Sequence, residues 1–437
     1  MDGGQRGTVL VTGADGFIGG FVVAALRTAG WQVVRGVRSG LRLAADTRRC
    51  DFSSAAWPRL DGARLLDGVD AVVNVAGILR ERGFAGQHFD ALHHDGPLAL
   101  AQACVAQGVR RFVQISALGD ARDGAFMASK HRFDRALLAL AGAEFSPIVL
   151  RPSVVYSAQG SYGGTSLLRT LAAVPGVLPL PGHGQWPLQP VAAEDLAAVV
   201  VQALARPAVV GLFEVAGPDV LSLAHYQRLW RAWLRLPARP ALRVPAGLIT
   251  VATRLGDLLG RGPLTLATWR MLRRGSVAAA DAGDLLAAAL DCRPRPLSAA
   301  LAARPSQVQD RWAAQLGWAG PLLTLGIVLL FLLSAWAGLF TPTAQIEALA
   351  AASPLAELAP VALARGGGVV DLLLALALLL TPRPRPVLAL MLLLVLAYTL
   401  SFGTLLPAAW LDPLGGLAKN LVVLPALLMA WVLADRR

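Results

Sequence analysis

The sequence predicts a doubly wound parallel α/β domain followed by an all-α membrane domain of four helices. Before residue 235, short apolar strands alternate with helical segments, which is typical of a parallel sheet covered by helices. After Gly317, stretches such as 322–333 and 387–400 contain no charged residue and suit lipid better than water. With 437 residues, the chain is also too long for one ordinary core.

The α/β elements follow one another in a regular order. The run TVLVT at 8–12 predicts a strand, and a glycine-rich turn then leads into a helix over 17–28. Further strands are predicted at 32–37, 71–75, 111–115, 147–151 and 213–216, and further helices at 98–107, 127–141 and 222–234. Glycine and proline are frequent over 157–190, so we expect loops there that cover a substrate cleft.

The chain divides into an α/β domain (1–235), a helical arginine-rich connector (236–316) and a membrane domain (317–437). Between Arg235 and Arg311 it carries 12 arginines against 5 acidic residues. This excess indicates anionic lipid headgroups as partners. The net charge of +12 does not indicate nucleic acid, because the basic residues form no runs interleaved with exposed aromatic residues.

Four membrane spans are predicted, at 318–340, 367–380, 387–406 and 417–433. The second is short, so it either begins earlier, near Leu358, or packs against its neighbours instead of lipid. Arginines in the connector, in the TPRPRP loop and at the C-terminus should face the cytoplasm, which requires an even number of spans. The N-terminus lacks an export signal. We therefore expect a multi-pass protein of the inner (plasma) membrane, with the α/β domain and both termini in the cytoplasm.

Two ionisable residues fall in or beside the predicted spans. Asp371 lies within the second span, and Lys419 begins the fourth. Charged groups in lipid are costly and tend to pair inside a bundle. Asp371 therefore pairs with Lys419 across the helices, or both residues lie at the membrane interface.

A glycine-rich motif stands between the first strand and the first helix. It consists of Gly13, Ala14, Asp15, Gly16, Phe17, Ile18 and Gly19. A dinucleotide site needs glycine where the chain turns tightly, where backbone approaches the pyrophosphate, and where helix packs on strand. The helix N-terminus then supplies positive potential. A tight turn alone explains one glycine and not three, so the spacing predicts an NAD(P)-binding Rossmann domain.

The end of the second strand bears on the choice between NADP and NAD. Where an acid would bind the adenine ribose of NAD, the sequence has Val37, Arg38 and Ser39. Arginine suits a 2′-phosphate, so NADP is favoured as the cofactor and NAD is possible. Arg35 is the competing candidate.

Four segments in order resemble the extended and atypical short-chain dehydrogenase/reductases. They are TGADGFIG, NVAG at 74–77, QISALG at 114–119 and LRPSVVY at 150–156. The resemblance covers about residues 8–235. Within the family, the chain is similar in appearance to the subgroup that contains the NADPH-binding accessory subunit of respiratory complex I and related quinone-biosynthesis proteins. The stretch 412–420, entering the last helix, resembles DoxX-like membrane domains.

This resemblance implies roles for residues beyond the glycine motif. Asp51, with the adjoining Phe52, would lie at the adenine. Ala76 and Gly77 would line the cofactor, and Ser116 would end a strand beside the substrate.

The family's reaction uses a tyrosine four residues before a lysine. The lysine lowers the pKa of the phenol and holds the nicotinamide ribose. In this chain the same register contains Phe126 and Lys130, so the hydroxyl is missing while the lysine is present. Only two of the 40 basic residues are lysines, Lys130 and Lys419, which favours a task for Lys130 that arginine would not perform.

We assign catalytic roles to Ser116 and Lys130, and Lys130 is also assigned to the cofactor. Ser129 and Tyr156 are alternative acids, whereas His131 is expected to point away from Lys130. No metal site is predicted. His93 and His94 lie in a predicted helix start, where we expect a solvated or capping role, and His183 lies in a loop without partner ligands.

Three functions remain open at this point. The first is an oxidoreductase or epimerase-like enzyme acting on a lipophilic substrate, such as a quinone or isoprenoid precursor delivered from the bilayer. The second is a non-catalytic NADPH-binding accessory or redox-sensing module of a membrane protein complex, which Phe126 favours. The third, based on the DoxX resemblance, is that the membrane domain is the functional unit and the α/β domain regulates it.

Overall fold

The computed structural model describes residues 6–38, 44–81, 83–258, 264–351, 353–411 and 416–434. The described residues up to Ala314 form one compact unit, and those from Gln315 onward form a second.

The first unit contains all thirteen strands of the described residues. They are β1 (Thr8–Thr12), β2 (Gln32–Val37), β3 (Thr47–Arg49), β4 (Ala71–Asn74), β5 (Arg111–Ile115), β6 (Ser146–Pro152), β7 (Val155–Tyr156), β8 (Leu178–Pro181), β9 (Pro187–Leu188), β10 (Val191–Ala192), β11 (Gly211–Val215), β12 (Leu221–Ser222) and β13 (Ala241–Val244). Seven of them form one sheet in the order β11-β6-β5-β4-β1-β2-β3, and every neighbouring pair in it is parallel. The predicted doubly wound parallel fold is confirmed.

The helices of the first unit cover both faces of this sheet. They are α1 (Phe17–Thr28), α2 (Gly62–Leu66), α3 (Gly96–Gln107), α4 (Ala125–Leu138), α5 (Gly163–Ala172), α6 (Ala193–Ala205), α7 (Leu223–Trp233), α8 (Ala246–Leu258), α9 (Leu266–Arg274), α10 (Ala282–Leu290) and α11 (Leu297–Ala302). Because both faces are covered, every residue of β4 and β5 is buried. The strand order reverses between β1 and β4, and ligands bind such sheets in the crevice at this point.

The region 236–316, predicted as a helical connector, contains a strand as well as helices. Strand β13 pairs in parallel with β8. Leu286 and Leu290 of α10 belong to one hydrophobic cluster of the sheet, and Leu297 and Leu301 of α11 pack in the cluster around Trp230. Helices α10 and α11 of this region therefore pack into the core of the first unit. The sequence pattern of the region is too weak to predict this packing.

The second unit is helical. Its helices are α12 (Val308–Phe340), which begins before the unit does, α13 (Thr343–Ala350), α14 (Pro360–Leu380), α15 (Pro384–Leu405) and α16 (Asn420–Leu433). Of the described helices, α12, α14 and α15 are long and apolar enough to cross a membrane. The helix that corresponds to the second predicted span begins at Pro360, before the predicted start at 367. This agrees with the alternative in which the span begins near Leu358. The fourth predicted span corresponds to a shorter apolar helix, α16.

Asp371 lies inside the helical bundle of the second unit. It is 4% exposed, and its Oδ2 accepts a hydrogen bond of 2.5 Å from the hydroxyl of Ser334 on α12. Lys419 is exposed, and among the described residues it forms no ion pair with Asp371. The predicted pairing is therefore not observed, and the alternative, in which both residues lie at the membrane interface, stays a prediction.

Candidate functional site

The glycine loop links strand β1 to helix α1 at the point where the strand order reverses. Gly13 has a φ of +66°, and a Cβ atom added to it would lie 2.9 Å from the backbone nitrogen of Ala76. A Cβ atom on Gly19 would overlap the Gly13 carbonyl oxygen. Both positions therefore require glycine, one for a left-handed turn and one for the close approach of helix and loop. Ala14 is buried beneath this turn.

The first turn of α1 offers backbone donors to an anion. Gly16 caps the helix in an extended conformation, and no side chain caps it. Phe17 and Ile18 open the helix itself. Uncapped N–H groups and the helix dipole at such an end favour a phosphate. The residues present thus fit the pyrophosphate of a dinucleotide.

An ion pair closes one side of the loop. The guanidinium of Arg35, on β2, binds the carboxylate of Asp15. Arg38 follows the end of β2 and is exposed. It forms no ion pair among the described residues, while its neighbour Ser39 lies outside them. Of the two arginines proposed for a 2′-phosphate, Arg38 is therefore the one without a carboxylate partner.

Asp51 and Phe52 follow strand β3. The Oδ1 atom of Asp51 accepts a hydrogen bond of 3.0 Å from the backbone N–H of Ser53. The ring of Phe52 is 4% exposed and packs against Gly96 at the start of α3. The structure thus places Asp51 at the sheet edge and Phe52 in the core beneath it.

A buried polar chain crosses the carboxyl ends of β1, β4 and β5. The Thr12 hydroxyl donates to Asn74 Oδ1, and Asn74 Nδ2 donates to Gln114 Oε1 at 2.7 Å. Asn74 Oδ1 also accepts from the backbone N–H of Ala76 at 3.4 Å. This chain fixes the segment that contains Ala76 and Gly77. This chain was not predicted, although its members are polar residues at or next to the ends of three apolar strands.

Lys130 projects from α4 toward this segment. Its side chain is buried, and Nζ donates a hydrogen bond of 3.2 Å to the Ile115 carbonyl oxygen. A Cβ atom added to Gly77 would lie 3.5 Å from Nζ. Burial lowers the pKa of Lys130 to about 8, against the opposing effect of the Asp134 carboxylate. The ammonium group therefore stands beside the loop that the resemblance assigns to the cofactor.

His93 also lies beside Gly77 and was wrongly expected to have a solvated or capping role. It is 2% exposed, and its Nε2 accepts a hydrogen bond of 3.0 Å from the backbone N–H of Ile78. Its Nδ1 therefore carries the proton and donates to the Ser129 hydroxyl at 3.0 Å, which in turn donates to the Phe126 carbonyl oxygen. Burial, and then the charge of Lys130, lower the pKa of His93 well below its ordinary value, so the imidazole is neutral at pH 7.

Phe126 fills the place of the family's tyrosine with an apolar ring. The ring packs edge-on against His93, with centroids 5.3 Å apart, and against Phe89. Lys130 Nζ lies 6.0 Å from its centroid. The ring thus contributes packing and a weak interaction with the cation, but it has no group that transfers a proton.

The hydroxyl groups of Ser116, assigned a catalytic role, and of Tyr156, an alternative acid, have structural partners or are buried. The Ser116 hydroxyl donates to Asp134 Oδ2 at 2.8 Å, and the same oxygen accepts from Arg151 at 2.9 Å. Tyr156 is 1% exposed in the aromatic cluster with Trp230, and burial raises the pKa of its phenol.

Two further histidines, His131 and His94, have local partners. His131 Nε2 bonds to the Ala117 carbonyl oxygen at 3.1 Å. His94 pairs with Asp95 at 2.7 Å. The described residues contain no group of three metal-ligating side chains.

Comparison with known proteins agrees with this geometry. Residues 9–216 match the NAD dependent epimerase/dehydratase family, and residues 328–429 match the DoxX-like family. The chain joins an epimerase/dehydratase domain to a DoxX-like domain. Both resemblances predicted from the sequence are confirmed.

Two relatives share the epimerase/dehydratase part of the chain. The ceramide reductase of Caulobacter vibrioides is 33% identical over 223 residues, which cover 48% of this chain and 65% of the relative. Subunit 9 of the NADH dehydrogenase [ubiquinone] 1 alpha subcomplex of Arabidopsis thaliana mitochondria is 29% identical over 250 residues, which cover 52% of this chain and 60% of the relative. The chain thus spans less than two thirds of the length of either relative.

Solved structures agree on the fold of the epimerase/dehydratase domain. MoeE5 in complex with UDP-glucose and NAD is 21% identical, with a TM-score of 0.51, and the match covers 68% of this chain and 96% of MoeE5. The structure of gox2253 is 20% identical, with a TM-score of 0.52 and the same coverage of both chains. At these identities the likeness concerns the fold alone.

Proposed function

We propose that this chain is a membrane-anchored, NAD(P)(H)-dependent oxidoreductase or epimerase-like enzyme that acts on a lipophilic substrate. The observation that carries this proposal is the buried amine of Lys130, held beside Gly77 at the carboxyl ends of β4 and β5. The family match supports the cofactor class. The DoxX-like domain and three helices long enough to span a membrane support a substrate that reaches the site from lipid. A relative named ceramide reductase is consistent with such a substrate.

The residues that would hold the dinucleotide lie along one crevice. The N–H groups at the start of α1 and the Gly13 turn would face the pyrophosphate. Asp51 would lie at the adenine, and Ala76, Gly77 and Lys130 would line the nicotinamide half. When bound, the nicotinamide would supply or accept a hydride.

For the proposed reaction, the chain must donate or accept a proton without the family's tyrosine. The Ser116 and Ser129 hydroxyls already donate to Asp134 and to the Phe126 carbonyl oxygen. Lys130 Nζ has one identified acceptor, Ile115, for its three N–H groups. Its pKa of about 8 lies close to neutral pH, which suits a group that both holds the ribose hydroxyls and exchanges a proton.

NADP is the proposed cofactor form. The exposed guanidinium of Arg38 follows the strand whose end normally carries the acid for NAD, and Arg35 is already paired with Asp15. The proposed location is the inner (plasma) membrane, with the epimerase/dehydratase domain and both termini in the cytoplasm. The excess of arginines before the first span supports this orientation.

A second candidate is a non-catalytic NADPH-binding module that assembles with a membrane protein complex or senses its redox state. Phe126 is the observation that favours it, because its ring cannot replace the phenol. A relative named as a subunit of NADH dehydrogenase is consistent with it.

The test uses the full chain in lipid nanodiscs, as wild type and as Phe126→Tyr and Lys130→Met. Cofactor binding is measured by nicotinamide fluorescence. Turnover is measured by nicotinamide absorbance with a panel of quinones, isoprenoid carbonyls and ketone-bearing ceramides. The proposed enzyme predicts turnover by the wild-type chain with at least one of these lipids and its loss in Lys130→Met.

The two candidates give different results. Cofactor binding without wild-type turnover, together with turnover in Phe126→Tyr, supports the non-catalytic module. If the wild-type chain binds neither NADPH nor NADH, both candidates are excluded.

A further inference from the structure

Helix α8 presents an apolar stripe to solvent. Leu248, Val251, Leu255 and Leu258 are 61%, 54%, 53% and 82% exposed. Their spacing of three, four and three residues places them along one side of the helix. Single exposed apolar residues are ordinary, whereas a continuous stripe of them indicates an interaction surface.

The opposite side of α8 is firmly packed, so the exposure is a property of the folded unit. Ile249 and Thr253 are buried. Trp269 of α9 is 1% exposed and donates from Nε1 to the Thr250 hydroxyl at 3.0 Å. Asp257 accepts a hydrogen bond of 2.9 Å from the backbone N–H of Leu266, at the start of α9.

The surroundings of the stripe are strongly basic. From Arg239 to Arg274 the sequence contains seven arginines and one acidic residue, Asp257. Arg254 is exposed on α8 itself, about 100° from Leu255 around the helix axis. Arg270 and Arg273 are exposed on α9. An apolar stripe bordered by arginines is typical of a helix that lies in the plane of a membrane interface.

The α8–α9 pair is attached to the mouth of the crevice by two ion pairs. Arg80, in the loop after β4, binds Asp257 at 3.0 Å. Asp123, in the loop after β5, binds Arg274 at 2.9 Å. Gly77 lies just after β4, and Ile115, whose carbonyl oxygen binds Lys130, is the last residue of β5. The stripe therefore borders the same end of the sheet as the candidate site.

We propose that α8 docks on the surface of an anionic lipid bilayer, with its apolar stripe in the headgroup–acyl boundary and the nearby arginines on the phosphates. The occupant is a bilayer because the arginines complement anionic headgroups, and because the same chain carries helices long enough to cross a membrane. Docking brings the crevice mouth to the depth at which lipid headgroups are found. The proposal does not depend on catalysis, since a non-catalytic module would dock in the same way.

Spin-label scanning of the full chain in proteoliposomes tests this proposal. Single cysteines replace Leu248, Val251, Arg254 and Leu255 in a Cys292→Ser background, because the other two cysteines are buried. Collisional access to oxygen and to a water-soluble nickel complex is measured for each nitroxide. A label at Val105, an apolar residue of α3 that is 49% exposed, is the matched reference.

In vesicles containing phosphatidylglycerol, the labels at 248, 251 and 255 should show an oxygen-to-nickel access ratio several-fold above that at 105. The label at 254 should give an intermediate ratio. Adding Val251→Glu and Leu255→Glu should return the label at 248 to the reference value. NADPH binding, measured in parallel, should be unchanged in this variant, which shows that the unit remains folded.

Two results would overturn the proposal. The first is equal nickel access at the three stripe labels (248, 251 and 255) and at the reference. The second is protection accompanied by dipolar coupling between labels on separate chains, which would assign the stripe to self-association. Neither result bears on cofactor binding, so failure of this proposal is distinguishable from failure of the proposed function.

Discussion

The Lys130 ammonium group and the Ile115 carbonyl oxygen form a hydrogen bond of 3.2 Å that ties helix α4 to the carboxyl end of strand β5. The bond holds a buried cation beside Gly77 without an ion-pair partner among the described residues. Asp134, one helical turn further along α4, is already bound to Ser116 and Arg151. The position is consequently unfavourable for the charge until a ligand supplies further acceptors.

Lys130→Met should change how stability depends on pH. Burial lowers the pKa of Lys130 from 10.5 to about 8, so between these values the unfolded chain binds more protons than the folded chain. The free energy of unfolding of the wild-type first unit should therefore rise over this pH range, by about 3 kcal/mol at most. The variant should lack this rise. Urea unfolding in nanodiscs, followed by near-UV circular dichroism, measures it.

The exposed lysine provides the control for this measurement. Lys419→Met should keep the wild-type pH dependence, because Lys419 is exposed and belongs to the second unit. Identical pH profiles for wild type and Lys130→Met would contradict the burial of the ammonium group.

Gly19→Ala and Gly20→Ala should have opposite effects, although they are adjacent on α1. A methyl group on Gly19 would overlap the Gly13 carbonyl oxygen. A methyl group on Gly20 would have no atom of the described residues within 4 Å, apart from its chain neighbours and the adjoining helix backbone. We expect Gly19→Ala to displace the loop and abolish dinucleotide binding. Gly20→Ala should keep binding and raise stability by about 0.5–1 kcal/mol through helix propensity. Calorimetric titration with NADPH and thermal unfolding compare them, and equal binding by both would refute the assigned loop.

Arg38→Ala and Arg35→Ala should separate cofactor choice from loop structure. If Arg38 meets the 2′-phosphate, its removal should weaken NADPH binding about tenfold or more and leave NADH binding unchanged, because charged hydrogen bonds contribute about 1.5–3 kcal/mol. Arg35→Ala removes the partner of Asp15 and should weaken both cofactors alike. The ratio of the two dissociation constants is the measurement. An unchanged ratio in Arg38→Ala would remove the argument for NADP.

Gly338→Ala should loosen the DoxX-like bundle. A Cβ atom at Gly338 would lie 2.7 Å from the Ala364 carbonyl oxygen and 2.9 Å from the Gly368 Cα, so α12 and α14 approach closely through glycine. We expect a loss of about 1–3 kcal/mol, the usual cost of overpacking. Gly326→Ala is the control, because Gly326 lies on the same helix and an added Cβ atom would have no atom of the described residues within 4 Å, apart from its chain neighbours and the adjoining helix backbone. Thermal unfolding in detergent should show a lower midpoint for the first variant alone.

Much of the fold could be predicted from local patterns, and the misses have physical causes. Strand β3 is three residues long and carries Arg48 and Arg49, so it has no apolar pattern to detect. The short strands β8 and β9 lie where glycine and proline indicate loops, and they exist because neighbouring segments pair with them. His93 occupies a π-helical turn (Ala91–Asp95) whose burial depends on Phe89 and Phe126.

The sequence by itself determined the order of strands, glycine loop and helices, the apolar spans, and the absence of a hydroxyl at Phe126. These properties depend on residue spacing and side-chain chemistry, which are local. Only the tertiary structure decided which side chains meet: Lys130 with Ile115 and Gly77, His93 with Ser129, and Ser116 with Asp134. These partners are 15 to 53 residues apart in the chain, and parallel strands bring them together at one edge of the sheet. The residues of the site could therefore be identified from local sequence patterns, whereas their hydrogen-bond partners depend on the order of the strands in the sheet.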